Sequence, residues 1–230
     1  MTKKLHIGII LDGNRRYAQQ QGNRPWEGHH KGADKVEQLF SWVEDLPIRE
    51  VTLYAWSMQN FERDELEKKF IFELFLRSFK KLLQKKEKLE KKGICIRFLG
   101  RLYLFPKKVQ QKMQEIMDLT KNNKKITFNF CMAYGGREEI IDAVSKIVND
   151  VKKGNLKKID EKELQKRLYI VDEPDFIIRT SGEQRTSNFL MWQSAYSEWF
   201  FLNKFWPEIE KTDIKQCIDQ FFSRERRFGK

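Results

Sequence analysis

The chain has 230 residues and carries 45 Lys and Arg against 33 Asp and Glu, a formal net charge of +12. Apolar residues make up 40% of it and include 18 Phe, which allows a sizeable core and excludes wholesale disorder. No apolar stretch approaches the roughly 18 residues of a membrane span, and the short N-terminal apolar run meets an Asp too early for a secretory signal, so we expect a cytoplasmic protein.

Short runs of β-branched and aromatic residues alternate along the chain with segments of helical periodicity. The predicted strands are residues 6–11, 51–56, 94–99, 126–131, 176–179 and 199–202. A helix is expected to start near residue 14, and others are predicted at 32–45, 66–92, 107–121, 138–152, 161–168 and 213–223. This alternation predicts one α/β domain over residues 1–230, with a mainly parallel central sheet of about six strands surrounded by helices. Ligands of such sheets bind beyond the carboxyl ends of the strands.

The predicted helix 66–92 has two different halves. Its first half is apolar almost all round, so it must be covered on two sides. The sheet would cover one side, and a partner subunit, a long apolar ligand or a thick core would cover the other. Residues 80–92 hold seven Lys; we interpret them as a solvated helix face, with an anionic membrane surface as the next option.

The first predicted strand runs into residues 12–16, Asp-Gly-Asn-Arg-Arg. A Gly-Asn turn before a helix offers backbone N–H groups to an anion, and the arginines add charge-assisted bonds. An acid among phosphate-binding groups fits a bridging cation such as Mg²⁺. The alternative is that Asp12 is only a helix cap with an arginine partner.

A second predicted anion site follows the strand at 176–179. Arg179 and Arg185 lie there around Gly182 among several hydroxyl residues, although a solvated loop would have a similar composition. Two anion sites and an apolar helix that needs covering suggest two phosphorylated substrates, at least one of them apolar. No nucleic-acid recognition motif accompanies the positive charge. The three scattered cysteines, without a CxxC motif, are predicted to be core residues rather than disulfide or zinc ligands.

Five segments occur in one characteristic order: 6–16, 28–32, 54–63, 129–137, and 175–198 continuing to Trp206-Pro207 and 224–229. With them the chain resembles the cis-prenyltransferase family of undecaprenyl and dehydrodolichyl diphosphate synthases. The resemblance implies that an allylic prenyl diphosphate, typically farnesyl diphosphate, is elongated with isopentenyl diphosphate in cis geometry to a medium-to-long polyprenyl product. It also implies Mg²⁺, a hydrophobic tunnel and a homodimer, and a long prenyl product is compatible with contact between the enzyme and a membrane surface. The alternative within the family is a non-catalytic partner subunit, which would lack the Asp-Gly-Asn segment that this chain has.

The resemblance assigns roles to individual residues. Asp12, Ser57 and Asn60 would be catalytic, and Asp12 with Glu198 would hold the metal. The substrate-binding residues would be Gly13, Asn14, Arg15, Arg16, Arg24, His29, Phe61, Arg63, Arg179, Arg185, Ser187, Arg227 and Gly229. The last two belong to an Arg-x-Gly tail that closes over the partner's isopentenyl diphosphate site in the family.

The chain departs from the family pattern at several positions. Arg15 replaces the commoner Gly, Gln59 replaces Glu and Phe61 replaces Trp. Pro25 stands where an Arg is usual, so Arg24 is the candidate substitute. Small Ala55 is permissive of a long product, whereas the phenylalanines at 70, 72, 75 and 79 would shorten the tunnel if they faced it.

Overall fold

The computed structural model describes residues 3–224 and confirms the predicted six-stranded sheet, in which every observed pairing is parallel. The strands are β1 (Leu5–Ile10), β2 (Ile48–Ser57), β3 (Ile94–Leu99), β4 (Ile126–Tyr134), β5 (Phe176–Arg179) and β6 (Glu198–Phe201). Their spatial order is β3-β4-β2-β1-β5-β6. Ile10, at the end of the inner strand β1, pairs with Tyr54 on one side and Arg179 on the other. The carboxyl ends of β1, β2 and β5 therefore meet at one edge.

Helices cover the sheet. They are α1 (Asn14–Gln20), α2 (Gly28–Trp42), α3 (Glu65–Gln84), α4 (Lys86–Lys92), α5 (Lys107–Thr120), α6 (Gly136–Lys152), α7 (Glu161–Gln165) and α8 (Lys211–Ser223). The larger core packs one sheet face against α2, α3, α5 and α8, and a smaller core around Tyr134 and Phe189 covers part of the other face. Cys95, Cys131 and Cys217 are free and buried, as predicted. Within residues 3–224, no helix is long and apolar enough to cross a membrane.

The predicted single helix 66–92 is wrong, because the structure divides it at Lys85 into α3 and α4. Lys85 leaves helical geometry with φ −97° and ψ 21°. The change of direction lets Leu89 of α4 bury its side chain in the core, while Gly93, with positive φ, ends the helix.

The apolar half of α3 is covered on two sides within one chain. On one side Ile71, Leu74 and Phe75 face an internal cavity. On the other side, the ring of Phe72 packs against Phe105, which lies two residues before α5. The two ring centroids are 5.5 Å apart. Leu66, at the start of this half, is left 76% exposed.

Candidate active site

Asp12 lies just beyond β1 and is held between two arginines. Arg179 Nη2 donates to Asp12 Oδ2 at 2.8 Å, and Arg16 Nη2 donates to Asp12 Oδ1 at 3.2 Å. Burial opposes ionisation of Asp12, but the hydrogen bond and charge of Arg179, aided by Ser181 and Arg16, outweigh it and lower the pKa of the carboxyl. Asp12 is therefore an anion at neutral pH, with its backbone carbonyl fixed by Thr180 Oγ1 at 2.6 Å.

The loop after β5, where the second anion site was predicted, lies around the same aspartate. Arg179 Nη1 donates to Ser187 Oγ at 2.7 Å and to the backbone carbonyl of Arg185. Glu183 accepts from Arg16 and also from Arg185, so its carboxylate joins the two segments that were predicted to bind anions. Ser187 has a φ of 48°, a strained conformation for a residue with a side chain. The structure therefore brings Arg16, Arg179, Arg185 and Ser187 together, as predicted.

The turn between β1 and α1 depends on close backbone packing. Gly13 has a φ of 102°, and a Cβ there would lie 2.5 Å from the ring of Phe205. The guanidinium of Arg16 stacks over that same ring, 5.6 Å from its centroid. Asn14 donates through Nδ2 to the carbonyl of Leu11 at 3.0 Å, while its Oδ1 is buried without a partner among the described residues.

The segment after β2 has a hydrogen-bonded capping geometry. The Ser57 side chain accepts from the backbone N–H of Asn60, and Asn60 Oδ1 accepts from the Ser57 N–H at 3.0 Å. Both residues line the cavity beside Asp12, and Arg63 does so too. Phe61 was expected to contact substrate, but it lies outside the cavity lining and packs on Trp56 and Phe105. Burial among these aromatic rings stabilises the apolar side chain of Phe61 more than exposure at the polar cavity mouth would.

A buried carboxylate that the sequence analysis missed organises the other wall. Glu67 is 2% exposed and accepts from Arg63 Nη1 at 2.8 Å, with Arg15 Nη1 3.7 Å away. His29 Nε2 lies 3.3 Å from Arg63 Nη1, and burial with the neighbouring arginines lowers its pKa to about 3. His29 is therefore neutral. Arg63 and Glu67 are four residues apart, which is also the spacing of ordinary ion pairs on the surface of a helix. The sequence therefore contained no sign that Glu67 is buried.

A second residue that the sequence analysis missed, Tyr54 of β2, contacts the loop that follows β5. Its hydroxyl donates towards the backbone carbonyls of Ser187 and Tyr134, each at 3.3 Å. Burial raises the pKa of Tyr54 well above its ordinary value, so the hydroxyl remains a donor. The alternation of side chains along β2 could have predicted which sheet face Tyr54 occupies. It could not have predicted its contact with Ser187, which is 133 residues away in the sequence.

Two predicted positions, Arg24 and Glu198, lie apart from this cluster. Arg24 stacks on Trp26, 5.8 Å from the ring centroid, and does not line the cavity. Glu198 pairs with Phe176 at the amino end of β5, three residues or about 10 Å along the strand from Arg179, and its carboxylate accepts from Arg224 at 2.8 Å. Within one chain, Asp12 and Glu198 therefore do not form one metal site. Arg227 and Gly229 lie outside the described residues.

The polar cluster opens into a cavity of about 990 Å³ between α2, α3 and the sheet. Its mouth carries Asp12, Ser57, Asn60, Arg63, Arg179 and Arg185, and its interior is largely apolar. Gly13, Arg15 and Arg16 are not among the residues that line it. The interior wall includes Ala33, Val36, Phe40, Ala55, Ile71, Leu74, Phe75, Phe79, Leu82, Phe130 and Met132. Of the four phenylalanines whose direction was open, Phe75 and Phe79 line the cavity, whereas Phe70 packs on His30 and Phe72 on Phe105. The arrangement fits a molecule with a diphosphate head and a long apolar tail.

Comparisons with known proteins agree with this geometry. Residues 10–229 match the family model for undecaprenyl diphosphate synthases. The tritrans,polycis-undecaprenyl-diphosphate synthases (geranylgeranyl-diphosphate specific) of Methanopyrus kandleri and Thermoplasma acidophilum are each 46% identical to this chain. The alignments cover 98% of this chain and 84% and 88% of those enzymes. The crystal structure of lavandulyl diphosphate synthase from Lavandula x intermedia, in complex with dimethylallyl diphosphate, has a TM-score of 0.92 at 32% identity, covering 98% of both chains.

The fold and the site define an α/β prenyltransferase. More particularly, the chain belongs to the cis-prenyltransferase family, as the sequence motifs indicated. The non-catalytic alternative finds no support, because the acid, the arginines and the Ser57–Asn60 pair stand around one cavity mouth.

Proposed function

We propose that the protein elongates an allylic prenyl diphosphate with isopentenyl diphosphate by repeated cis condensation, releasing a medium-to-long polyprenyl diphosphate. The observation that carries this proposal is the continuity between the Asp12–Arg179 cluster and the apolar cavity. The names of the two archaeal relatives favour geranylgeranyl diphosphate as the primer over the farnesyl diphosphate expected from the family at large.

The residues divide the work between two diphosphates. Arg179, Arg185 and Ser187 offer a guanidinium-rich site for isopentenyl diphosphate, while the turn at Gly13 and Asn14 with Arg16 faces the allylic diphosphate. Cleavage of the allylic C–O bond places negative charge on the leaving diphosphate, and fixed positive groups stabilise that charge as it develops. The apolar cavity keeps water from the allylic cation and receives the growing chain.

Mg²⁺ is the proposed cofactor, and one protein ligand suits it. Asp12 is an anion, and its side chain is 26% exposed at the cavity mouth. Among residues 3–224, no group of three or more His, Cys, Asp or Glu side chains is arranged to hold a metal. Mg²⁺ is commonly held by one or two carboxylates together with substrate phosphates, so Asp12 and the diphosphate oxygens would hold it. Bound there, the ion would neutralise charge on the leaving diphosphate.

We also propose that the protein is a homodimer. Helix α6 exposes an apolar stripe at helical spacing, formed by Ile141, Val144, Val148 and Val151, each at least 40% exposed. A second copy of this chain is the partner that the family expectation names, and the predicted Arg-x-Gly tail would then act in the partner's site. Contact with an anionic membrane through the lysines of residues 80–92, and a cytoplasmic location, also stay predictions; salt-sensitive co-sedimentation with anionic vesicles tests the membrane contact.

The proposal is tested by incorporation of labelled isopentenyl diphosphate with geranylgeranyl, farnesyl or dimethylallyl diphosphate as the primer. We expect butanol-extractable label with geranylgeranyl diphosphate first among the three. The label should disappear on chelation of Mg²⁺ and in an Asp12→Ala variant. A folded protein that yields no extractable label with any primer would refute the proposal.

A further inference from the structure

Asn188 directly follows Ser187 in the loop after β5, and three of its polar groups bind the start of α6. The Arg137 N–H donates to Asn188 Oδ1 at 2.9 Å, and the Gly136 N–H donates to the Asn188 backbone carbonyl at 2.7 Å. In the other direction, Asn188 Nδ2 donates to Glu138 Oε2 at 2.9 Å. The loop that carries Ser187 is therefore tied to the first turn of α6.

The start of α6 is shaped to receive this side chain. Its N-cap residue is Gly135, which has no side chain to accept a hydrogen bond, and the first N–H groups of a helix need acceptors. A Cβ at Gly135 would lie 2.1 Å from Glu138 Oε2 and 2.6 Å from Asn188 Nδ2. The glycine therefore leaves space for Asn188, which supplies the helix cap from another part of the chain.

The backbone at Asn188 has a conformation that these hydrogen bonds support. Ser187 and Asn188 have φ values of 48° and 64°, in the left-handed region that side chains disfavour and that Asn tolerates better than most residues. The following Phe189 and Leu190 are fully buried, whereas Ser187 is exposed. Asn188 is thus the point at which the loop leaves the core, and its conformation determines where the Ser187 hydroxyl meets Arg179.

We infer that Asn188 is a positioning residue for isopentenyl diphosphate, because its hydrogen bonds to α6, including that to Glu138, hold Ser187 in place for the diphosphate. The inference rests on the proposed function and adds to it the contact that keeps the second diphosphate site formed. Of the clamping pair, Asn188 lines the cavity and Glu138 does not. An effect of Glu138 on this substrate therefore passes through Asn188.

Three variants separate the hydrogen bonds from charge and strain. Asn188→Gly removes both side-chain hydrogen bonds but keeps a residue that adopts positive φ readily. Glu138→Ala removes the acceptor of Asn188 Nδ2, and Glu138→Gln restores an acceptor oxygen without the charge. Loss of a negative charge near a diphosphate site would by itself favour the anion. Weaker binding in Glu138→Ala therefore reports the lost hydrogen bond rather than the lost charge.

The chain contains a matched control for the loss of a helix cap. Asp160 Oδ1 accepts from the Glu163 N–H at 3.1 Å and caps α7. Asp160 does not line the cavity. Asp160→Ala therefore removes a side-chain cap of the same kind without touching the loop after β5.

The test measures initial rates with Mg²⁺ while isopentenyl diphosphate and geranylgeranyl diphosphate are varied in turn. We expect KM for isopentenyl diphosphate to rise about tenfold in Asn188→Gly and about threefold in Glu138→Ala, as for lost hydrogen bonds of ordinary strength. The kcat and the KM for geranylgeranyl diphosphate should stay within about twofold of the wild type. Glu138→Gln should recover most of the loss in Glu138→Ala, and Asp160→Ala should match the wild type. The double variant Asn188→Gly/Glu138→Ala should be no worse than Asn188→Gly, because both changes remove one contact.

An unchanged KM for isopentenyl diphosphate in Asn188→Gly, in an active wild-type background, would overturn the inference and leave the proposed function intact. An effect of Asn188→Gly without one of Glu138→Ala would also overturn it, because Asn188 would then act without its clamp. Equal rises of KM for both diphosphates, or a rise in Asp160→Ala, would overturn it as general loosening. A wild type that incorporates no isopentenyl diphosphate would overturn the proposed function, and the inference with it.

Discussion

Gly28 is the position at which a single methyl group should disturb catalysis most selectively. It begins α2, and a Cβ built there lies 1.9 Å from the backbone carbonyl oxygen of Asn14 in the first turn of α1. Real Cβ contacts do not fall below 3.0 Å, so Gly28→Ala must separate the two helix starts by about 1.1 Å. The atom it meets is backbone, which no side-chain rotation can move aside.

The displaced turn carries Asn14 next to Asp12, so its movement acts on the diphosphate site. Misplacement by about 1 Å can cost about 10²-fold in rate, and overpacking costs about 1–3 kcal/mol of stability. We therefore expect kcat/KM for the allylic diphosphate to fall about 10²-fold in Gly28→Ala, while the protein still folds.

Gly154→Ala is the matched control for lost stability. Gly154 lies beyond α6, where a Cβ meets nothing within 4 Å, but its φ of 72° disfavours a side chain by about 1–2 kcal/mol. Urea unfolding and initial rates of isopentenyl diphosphate incorporation would be measured for both variants. Comparable losses of stability with a loss of kcat/KM only in Gly28→Ala support the reasoning; an unimpaired Gly28→Ala, or an equally impaired Gly154→Ala, refutes it.

Three further predictions follow from the charges and exposed surfaces. Asp12→Asn should lower kcat by about 10²- to 10³-fold, because the proposed Mg²⁺ that would neutralise charge on the leaving diphosphate loses its carboxylate ligand; single-turnover rates with saturating Mg²⁺ would show it, and a loss confined to KM would contradict it. Burial lowers the pKa of His6 to about 4 and that of His29 to about 3. Below about pH 6.5 the unfolded chain binds protons that the folded chain does not, so stability should fall by about 1.4 kcal/mol per pH unit for each histidine. Urea unfolding from pH 7 to 5 should show a shallower slope in His6→Asn, and equal slopes would argue against the assignment. Val148→Glu should give a monomer in light scattering, whereas Asn149→Glu, at an exposed position on the same helix but about 100° around it from Val148, should not.

The sheet and the main cluster could be predicted from sequence because their signals are local. Each strand is a short apolar run, and parallel strands bring their carboxyl ends to one edge. Asp12 follows one such strand and Arg179 ends another, so the adjacency of the two strands was enough to predict that these side chains meet. The family motifs then supplied the roles of Ser57 and Asn60, which local pattern alone did not.

Other features depend on distances that no local pattern contains. Helix α2 begins at Gly28, four residues before its predicted beginning, where its backbone packs closely against Asn14 at the start of α1. The register of β6 decides that Glu198 lies at the amino edge of the sheet. The direction of Phe61 follows from an aromatic core assembled from several elements, and the burial of Glu67 follows from the arginines and histidine packed around it.

The central claim is that this cavity grows a prenyl chain with cis geometry. The most direct measurement is ¹³C NMR of the dephosphorylated product made from geranylgeranyl diphosphate and isopentenyl diphosphate, with its length read by mass spectrometry. The account predicts the three trans double bonds of the primer followed by newly formed cis double bonds in a medium-to-long chain. Newly formed trans double bonds, or a product that stops after a single condensation, would contradict it.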